Sequence, residues 1–217
     1  MLETLVIQAS DSLSPADFAA LLALVDPGKR HRIERFRLYR DACNCLVGDV
    51  VARSEISRIT GLDPAGLSFS SNDYGKPSLV DVPGVCFNIS HSGSYVACAI
   101  DEQTVGIDIE LVRPIDLKIA QRFFAADETA YIMAERSEAR FFEIWTKKES
   151  RIKWEGKGLS MPLTSFSVLI PEAGLRYQRV YADSAAICHV CTRRADLSVR
   201  TLSVAALLAD LRSRRVL

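Results

Sequence analysis

Apolar and polar residues follow two different periods along the chain, which predict a protein built from both helices and strands. The first helix is predicted to begin with Ser14 as its N-cap and Pro15 in its first turn. Helical spacing predicts helices at residues 15–25, 29–60, 117–124, 126–134 and 138–155. Alternating or continuous apolar runs predict strands at residues 2–10, around Phe69, and at 85–89, 96–100, 104–109, 165–170, 175–180, 186–190 and 203–208.

Two carboxylates stand at the end of one apolar segment. Asp108 and Glu110 alternate with Ile107 and Ile109, so in a strand both carboxylates lie on one face and both isoleucines on the other. Neighbouring carboxylates repel each other unless a cation or a proton lies between them. The alternative is that the two acidic residues only mark the end of a strand. Mg²⁺ is typically held by one or two carboxylates together with phosphate oxygens. The pair therefore predicts a magnesium site.

A third carboxylate and a lysine lie about forty residues further along, in the predicted helix 138–155. Spacings of four place Trp145, Glu149 and Lys153 on one helical face. Such a pair can be an ordinary surface ion pair, worth only about 0.3–0.5 kcal/mol. Its coincidence with the acidic strand favours a functional interpretation.

A polar run between two apolar segments predicts a strand, a turn and a second strand, with His91 at the turn. Asn88, Ser90 and Ser92 flank the histidine, and Gly93 lets backbone amides approach a ligand. Neutral donors, an imidazole and accessible backbone are suited to binding phosphate.

The composition limits the partners of the protein. The 217 residues are 48% hydrophobic and 25% charged, with 27 basic and 27 acidic side chains. A neutral chain has no overall field that favours nucleic acid. No apolar run approaches the roughly 20 residues that span a bilayer, and the N-terminus does not resemble a signal peptide. We therefore expect a cytoplasmic protein with no membrane or nucleic-acid partner.

Six cysteines raise the question of a structural zinc site. Cys188 and Cys191 flank His189, and Cys43 with Cys45 could supply further ligands. Residues three apart in a strand face opposite ways, and zinc needs four convergent ligands. Reduced, buried thiols are the interpretation that we favour.

Several segments together resemble the 4′-phosphopantetheinyl transferases of the surfactin-synthetase-activating (Sfp) type. Their order and spacing agree with that family, and further similarity extends over residues 29–168. The matching segments are residues 87–93 (FNISHSG), 106–110 (GIDIE) and 145–159 (WTKKESRIKWEGKGL), with residues 72–77 (NDYGKP) and 122–124 (RFF).

The resemblance implies an α+β fold of two pseudo-twofold-related halves, here residues 1–104 and 105–217. Each half would contribute a three-stranded sheet and one long helix, 29–60 or 138–155, with the active site between the halves. Because one chain then supplies both sides of the site, we expect a monomer.

The implied reaction is the Mg²⁺-dependent transfer of 4′-phosphopantetheine from coenzyme A to a serine of an apo carrier protein, releasing adenosine 3′,5′-bisphosphate. By resemblance, Asp108, Glu110 and Glu149 would hold Mg²⁺, for which Mn²⁺ could substitute. Glu149 would also be the general base, directly or through a metal-bound water. Lys153 would offset the charge of the pyrophosphate, and His91 would bind a phosphate of coenzyme A by charge and hydrogen bonding.

The resemblance also assigns the coenzyme A contacts. Lys29 and Arg32 would bind the 3′-phosphate, and Lys76 would help to hold the adenine nucleotide. Arg32 stands where the family has lysine, and Cys45 replaces a hydroxyl residue, which puts one polar contact in doubt. The remaining expected contacts are Asn88, Ser90, His91, Asp108 and Lys153.

Two other classes of function use similar residues. A metal-dependent nuclease also needs acidic residues and lysine, but its Glu-x-Lys strand is absent and the chain is not basic. A catalytically inactive carrier-binding module would not need Asp108, Glu110, Glu149 and Lys153, which are all present. The sequence does not distinguish peptidyl from acyl carriers, and so leaves nonribosomal peptide, polyketide and fatty-acid synthesis open.

Overall fold

The computed structural model of the protein describes residues 2–9 and 13–217, apart from the side chain of Leu159. The described residues form seven α-helices: α1 Pro15–Leu22, α2 Pro27–Glu34, α3 Tyr39–Thr60, α4 Lys118–Phe123, α5 Ala126–Glu135, α6 Glu138–Glu155 and α7 Val204–Ser213. They also form nine strands: β1 Leu2–Gln8, β2 Phe69–Ser71, β3 Pro77–Leu79, β4 Cys86–Ser92, β5 Tyr95–Asp101, β6 Gly106–Leu111, β7 Arg176–Ala182, β8 Ala186–Thr192 and β9 Leu197–Ser203.

Two sheets, each with one long helix, organise the chain. The first sheet has the order β4-β5-β1-β9, and α3 packs on it through a core that includes Leu46, Val50 and Val96. The second sheet has the order β6-β8-β7 and is antiparallel throughout, with α6 packed against it. The α+β class and the two halves, each with a small sheet and a long helix, are therefore confirmed.

The end of the chain returns to the first sheet, which gives it four strands instead of the three expected. Strand β9 pairs in parallel with β1, and α7 follows it immediately. Leu207 and Leu211 of α7 are buried in the core beneath α3. The boundary at residue 104 remains a prediction, and this terminal segment shows that the order in sequence and the order in space differ.

Two predicted strands are wrong. Residues 203–208 contain the start of α7, where the Ser203 side chain accepts a hydrogen bond from the Ala206 amide at 3.1 Å. The spacing of the buried residues Val204, Leu207 and Leu208 fits a helix as well as a short apolar strand.

The predicted strand 165–170 is replaced by a 3₁₀ turn at Leu163–Ser165 followed by irregular chain. The ammonium of the buried Lys148 donates hydrogen bonds to the carbonyls of Leu163 and Phe166, each at 2.7 Å. Glu128 forms an ion pair with Lys148 at 2.7 Å and also accepts a hydrogen bond from the Val168 amide. A buried ion pair therefore satisfies backbone groups that a strand would have paired with a neighbour.

The long helix expected at residues 29–60 is two helices, because the backbone at Leu38 is extended. Asp26 caps α2 by accepting a hydrogen bond from the Lys29 amide at 2.9 Å. The fully buried Arg53 of α3 joins Asp26 to Asp49, at 3.1 and 2.5 Å. The N-terminal turn of α2, which carries Lys29, is therefore fixed against α3. The expected cap of α1 is confirmed, since Ser14 Oγ accepts from the Asp17 amide at 3.0 Å.

The two sheets share a core and meet along β4 and β6. Buried side chains from both sheets, among them Val6, Ala97, Ile107 and Val190, pack in one cluster. No helix in the described part of the chain is long and apolar enough to cross a membrane.

Candidate active site between the two sheets

Asp108 lies at the centre of the line where β4 meets β6, and its carboxylate is 4% exposed. Its Oδ1 accepts hydrogen bonds from Ser90 Oγ at 2.9 Å and from Lys153 Nζ at 2.7 Å. Its Oδ2 is buried without a partner among the described residues. Burial raises the pKa of Asp108, while Lys153 and Ser90 oppose that rise. An unpartnered buried carboxylate oxygen is costly and suits a cation.

Glu110 lies two residues further along β6, half-buried on the same face as Asp108. Its Oε2 accepts a hydrogen bond from Ser92 Oγ at 2.7 Å. Burial and the charge of Asp108 raise the pKa of Glu110, and the hydrogen bond from Ser92 opposes them.

Glu149 approaches the same place from α6. The Glu149 side chain makes no hydrogen bond or ion pair with any described residue. It lines a cavity together with Asp108 and Glu110. Burial first, and then the negative charge of Asp108 and Glu110, raises the pKa of Glu149 to about 7, with Lys153 opposing. The three predicted acidic residues therefore face one space and repel one another.

The three carboxylates do not by themselves complete a metal centre. No group of three His, Cys, Asp or Glu side chains in the described ranges converges closely enough to hold an ion. The chemistry of the three side chains nevertheless fits Mg²⁺. The donors are all oxygens, and Asp108 Oδ2 lacks a partner among the described residues. Glu149 is also repelled by the charges of Asp108 and Glu110, which a cation would neutralise. Mg²⁺ commonly takes one or two carboxylates and completes its shell with water and substrate phosphate. The ligand set of Asp108, Glu110 and Glu149 therefore remains a prediction that this arrangement supports.

Lys153 crosses the line between the sheets. Its ammonium donates to Ser90 Oγ at 2.8 Å and to Asp108 at 2.7 Å, so its ion pair is with Asp108 and not with Glu149. An ammonium has three N–H donors, and these two contacts leave one for a ligand. The side chain remains 27% exposed to the cavity.

His91 lies within β4, not in the turn where the sequence pattern placed it. The chain reverses after Ser92, where Gly93 adopts a left-handed φ of 57°, and β4 continues through His91. The imidazole is exposed at the rim of the cavity that contains Glu149. Partial burial, followed by the charge of Lys153, lowers the pKa of His91.

Three adjoining cavities join the predicted residues into one groove, and Ile89 lines all three. The cavity of about 410 Å³ contains Glu149 and Lys153, which also line the next one, of about 270 Å³. The third, of about 280 Å³, contains Lys29 and Arg32.

Lys29 and Arg32 project from α2 at one end of this groove. Lys29 lies 3.8 Å from Asp49, whereas Arg32 is exposed and forms no ion pair with a described residue. Cys45 lies beside both cations: burial raises the pKa of its thiol, and the two positive charges oppose that rise. The two cations are therefore placed to bind an anion that spans the groove.

Lys76 lies in the groove, but its ammonium is already engaged. It donates to the carbonyls of Trp154 at 3.0 Å and Val105 at 3.2 Å, and burial lowers its pKa. The Asn72 amide donates to the Gly156 carbonyl at 2.8 Å. The hairpin that joins β2 to β3 thus caps the C-terminus of α6, and a role for Lys76 in nucleotide binding remains a prediction.

Two residues have a supporting role in the site that the sequence pattern did not assign to them. Ser92 holds Glu110, and His189 of β8 is bonded to Thr146 of α6 at 2.8 Å. The alternation of Asn88, Ser90 and Ser92 was a visible signal for a polar strand face.

Cys188 and Cys191, for which the sequence analysis favoured reduced thiols over zinc ligands, are buried free thiols.

The contribution of His189 to the free energy of unfolding is expected to fall as the pH is lowered below about 6.5, while Glu149, whose pKa is raised to about 7, contributes in the opposite direction. Burial holds the pKa of His189 well below its usual value, so the unfolded state binds a proton that the folded state excludes. One such histidine contributes up to about 1.4 kcal/mol per pH unit. Urea unfolding at pH 5, 6 and 7 measures this slope. The free energy of unfolding of the parent should fall relative to that of His189→Gln as the pH is lowered, and equal slopes in the two proteins would contradict the assignment.

Comparisons with known proteins agree with this arrangement. Residues 12–103 match the family described as "4′-phosphopantetheinyl transferase, N-terminal", and residues 104–205 match the "4′-phosphopantetheinyl transferase superfamily". The chain is 43% identical to 4′-phosphopantetheinyl transferase Sfp of Bacillus subtilis (strain 168), over 85% of this chain and 83% of that protein.

Two further relatives have similar coverage. The chain is 43% identical to 4′-phosphopantetheinyl transferase psf-1 of Bacillus pumilus, over 77% of this chain and 73% of the relative. It is 36% identical to 4′-phosphopantetheinyl transferase gsp of Aneurinibacillus migulanus, over 76% and 70%.

Proposed function

Because this chain belongs to the 4′-phosphopantetheinyl transferase superfamily, we propose that its groove binds coenzyme A and presents the pyrophosphate to Asp108, Glu149 and Lys153. The enzyme is an Sfp-type transferase, which moves 4′-phosphopantetheine onto a carrier protein. The nuclease alternative has no support in this family. The observation that carries the assignment of roles is the Glu149 carboxyl, which has a pKa of about 7 and no described partner beside two other acids.

The reaction joins a serine oxygen of the carrier to the phosphorus that bears the pantetheine arm. The bond from that phosphorus to the bridging pyrophosphate oxygen breaks, and adenosine 3′,5′-bisphosphate leaves. Glu149 accepts the serine proton, because its carboxyl lines the cavity that the serine must enter. Its lack of a hydrogen bond to any described residue leaves both carboxylate oxygens available.

Asp108, Glu110 and Glu149 would hold Mg²⁺, and Mn²⁺ could substitute for it. When bound, the metal supplies Lewis-acid stabilisation and a template for the pyrophosphate. Asp108 contributes its unpartnered Oδ2, while its other oxygen stays bonded to Ser90 and Lys153.

Lys153 stabilises the charge that develops on the pyrophosphate oxygens, using the donor that Ser90 and Asp108 leave free. His91 donates a hydrogen bond to a phosphate of coenzyme A from the rim. Its lowered pKa favours the neutral imidazole, which still carries one N–H donor. Lys29 and Arg32 bind the 3′-phosphate at the far end of the groove, where Arg32 forms no ion pair with a described residue.

We also propose that coenzyme A contacts Asn88, Ser90 and Lys76, and the structure supports these three contacts unequally. Asn88 and Lys76 line the central cavity. The Ser90 hydroxyl already accepts from Ile109 and Lys153 and donates to Asp108, which uses its full hydrogen-bonding capacity. Contact between Ser90 and coenzyme A therefore requires one of these bonds to open.

The macromolecular partner is an apo carrier protein, either peptidyl or acyl. Both sides of the groove come from one chain, and we propose that the enzyme acts as a monomer in the cytoplasm.

The activity is tested by incubating an apo carrier protein with the enzyme, coenzyme A and Mg²⁺. Mass spectrometry is expected to show the gain of one phosphopantetheine per carrier, with equimolar release of adenosine 3′,5′-bisphosphate. A chelator should stop the reaction, and added Mg²⁺ should restore it. An unchanged carrier mass with both peptidyl and acyl carriers would refute the proposed activity.

A further inference from the structure

Strands β4 and β6 lie side by side without pairing through their backbones. Strand β4 pairs with β5, and β6 pairs with β8, so each belongs to a different sheet. Side chains of β4 take the place of backbone carbonyls between them. The bonds run from the Ile107 amide to Asn88 Oδ1 at 2.9 Å, from the Ile109 amide to Ser90 Oγ at 3.4 Å and from the Leu111 amide to Ser92 Oγ at 3.2 Å.

This side-chain ladder, formed by Asn88, Ser90 and Ser92, follows from the geometry of strands. Residues two apart face one side of β4, and amides two apart face one side of β6. Three successive rungs therefore fix the register of the second sheet against the first. Because the ladder residues belong to the first sheet and the carboxylates to the second, the ladder determines how the two parts of the site align.

The two serine rungs also donate to the carboxylates. Ser90 Oγ donates to Asp108 Oδ1 at 2.9 Å, and Ser92 Oγ donates to Glu110 Oε2 at 2.7 Å. In each case one carboxylate oxygen is held by a serine. The other oxygen, Asp108 Oδ2 or Glu110 Oε1, has no hydrogen bond from a described residue. Asn88 forms a rung and donates to neither carboxylate.

We propose that Ser92 is a positioning residue for Glu110, and that the ladder presents the free oxygens of Asp108 and Glu110 to the cation. This inference rests on the proposed function, because Glu110 is a proposed metal ligand. Ser92 is the informative member: it contacts Glu110 and the Leu111 amide, whereas Ser90 also bonds to Lys153. Removing a side chain that orients a metal ligand typically weakens metal binding by about 10- to 100-fold.

Variants of Ser92 itself provide the control for a purely structural effect. Ser92→Ala removes one rung and also releases a carboxylate, because the Ser92 hydroxyl contacts both the Leu111 amide and Glu110. Ser92→Thr keeps the hydroxyl, and Ser92→Val has the same shape without it. Ser94→Ala changes a serine in the adjacent turn that has no hydrogen bond to a described side chain.

The experiment measures Mn²⁺ affinity by electron paramagnetic resonance, with coenzyme A at saturation and no carrier present. We expect Ser92→Ala and Ser92→Val to weaken Mn²⁺ binding by about 10-fold or more. Ser92→Thr and Ser94→Ala should bind Mn²⁺ within about twofold of the parent. The Thr and Val pair keeps the comparison valid if the alanine variant does not fold.

Three results would overturn the inference. Parent-like Mn²⁺ affinity in Ser92→Val shows that the hydroxyl does not position Glu110. Weakening in Ser92→Thr equal to that in Ser92→Val shows that a disturbed fold, and not the lost hydroxyl, weakens Mn²⁺ binding. A parent enzyme that binds no Mn²⁺ removes the proposed metal centre itself, which distinguishes failure of the proposed function from failure of the ladder alone.

Discussion

Replacing Glu149 by glutamine is expected to lower the turnover number by at least about 10²-fold while coenzyme A still binds. Glutamine keeps the volume of the side chain, but it cannot accept the serine proton and is a weaker ligand for Mg²⁺. Burial, together with repulsion by Asp108 and Glu110, raises the pKa of Glu149 to about 7; neither effect penalises a neutral glutamine, so folding should not suffer. Steady-state kinetics with an apo carrier, together with calorimetry of coenzyme A binding, separate turnover from affinity.

A second glutamate on the same helix provides the matched control. Glu143 lies about two turns before Glu149 and pairs with Lys147 at 2.6 Å, outside the groove. Glu143→Gln should retain near-parent turnover. Asp108→Ala should match the loss in Glu149→Gln, and Glu110→Ala should be milder if water fills its place. Near-parent turnover of Glu149→Gln at limiting Mg²⁺ would contradict both roles assigned to Glu149.

Replacing Gly106 by alanine is expected to impair both folding and catalysis. A Cβ atom on Gly106 would lie 2.1 Å from the Ser150 carbonyl oxygen and 2.4 Å from the Trp154 amide nitrogen. Both are backbone atoms of α6, so the helix must move by about 1 Å. Overpacking of this kind costs about 1–3 kcal/mol.

The displacement would fall directly on the site, because Ser150 and Trp154 are adjacent in sequence to Glu149 and Lys153. A misplacement of about 1 Å can reduce a rate by about 10²-fold. Urea unfolding and steady-state turnover measure the two effects. Gly66→Ala is the control, since its Cβ would meet nothing closer than 3.8 Å and should change neither quantity. Parent-like values for Gly106→Ala would show that α6 can move without affecting the site.

The local spacing of apolar residues predicted a helix or strand correctly where that element buries one face against the core. Helix α6 has the bounds that its apolar spacing predicts, with Ser137 as N-cap and Gly156 in a left-handed C-cap. The alternation at residues 105–110 predicted a strand with both acids on one face, which β6 confirms. Short apolar runs were less reliable: residues 203–208 are helical, since such a run fits either period.

The site residues came from sequence as separate motifs. Segment order and residue type indicated that Asp108, Glu149 and His91 act together, and the structure places all three around one cavity. The partner of Lys153 could not be predicted, because spacing along a helix favours Glu149 and says nothing about a strand from elsewhere. In the fold, the ion pair with Asp108 forms instead.

The sequence by itself determined the family, the main elements and the chemistry of the candidate site, because these depend on local periodicity and on residue types at fixed spacings. The tertiary structure decided which groups have partners. It bonded Lys76 to the Trp154 carbonyl at the end of α6 and left Asp108 Oδ2 without a hydrogen-bond partner among the described residues. It also made Ser92 a support for Glu110. Such contacts join segments distant in the chain, and their geometry is set by the packing of two sheets that no local pattern encodes.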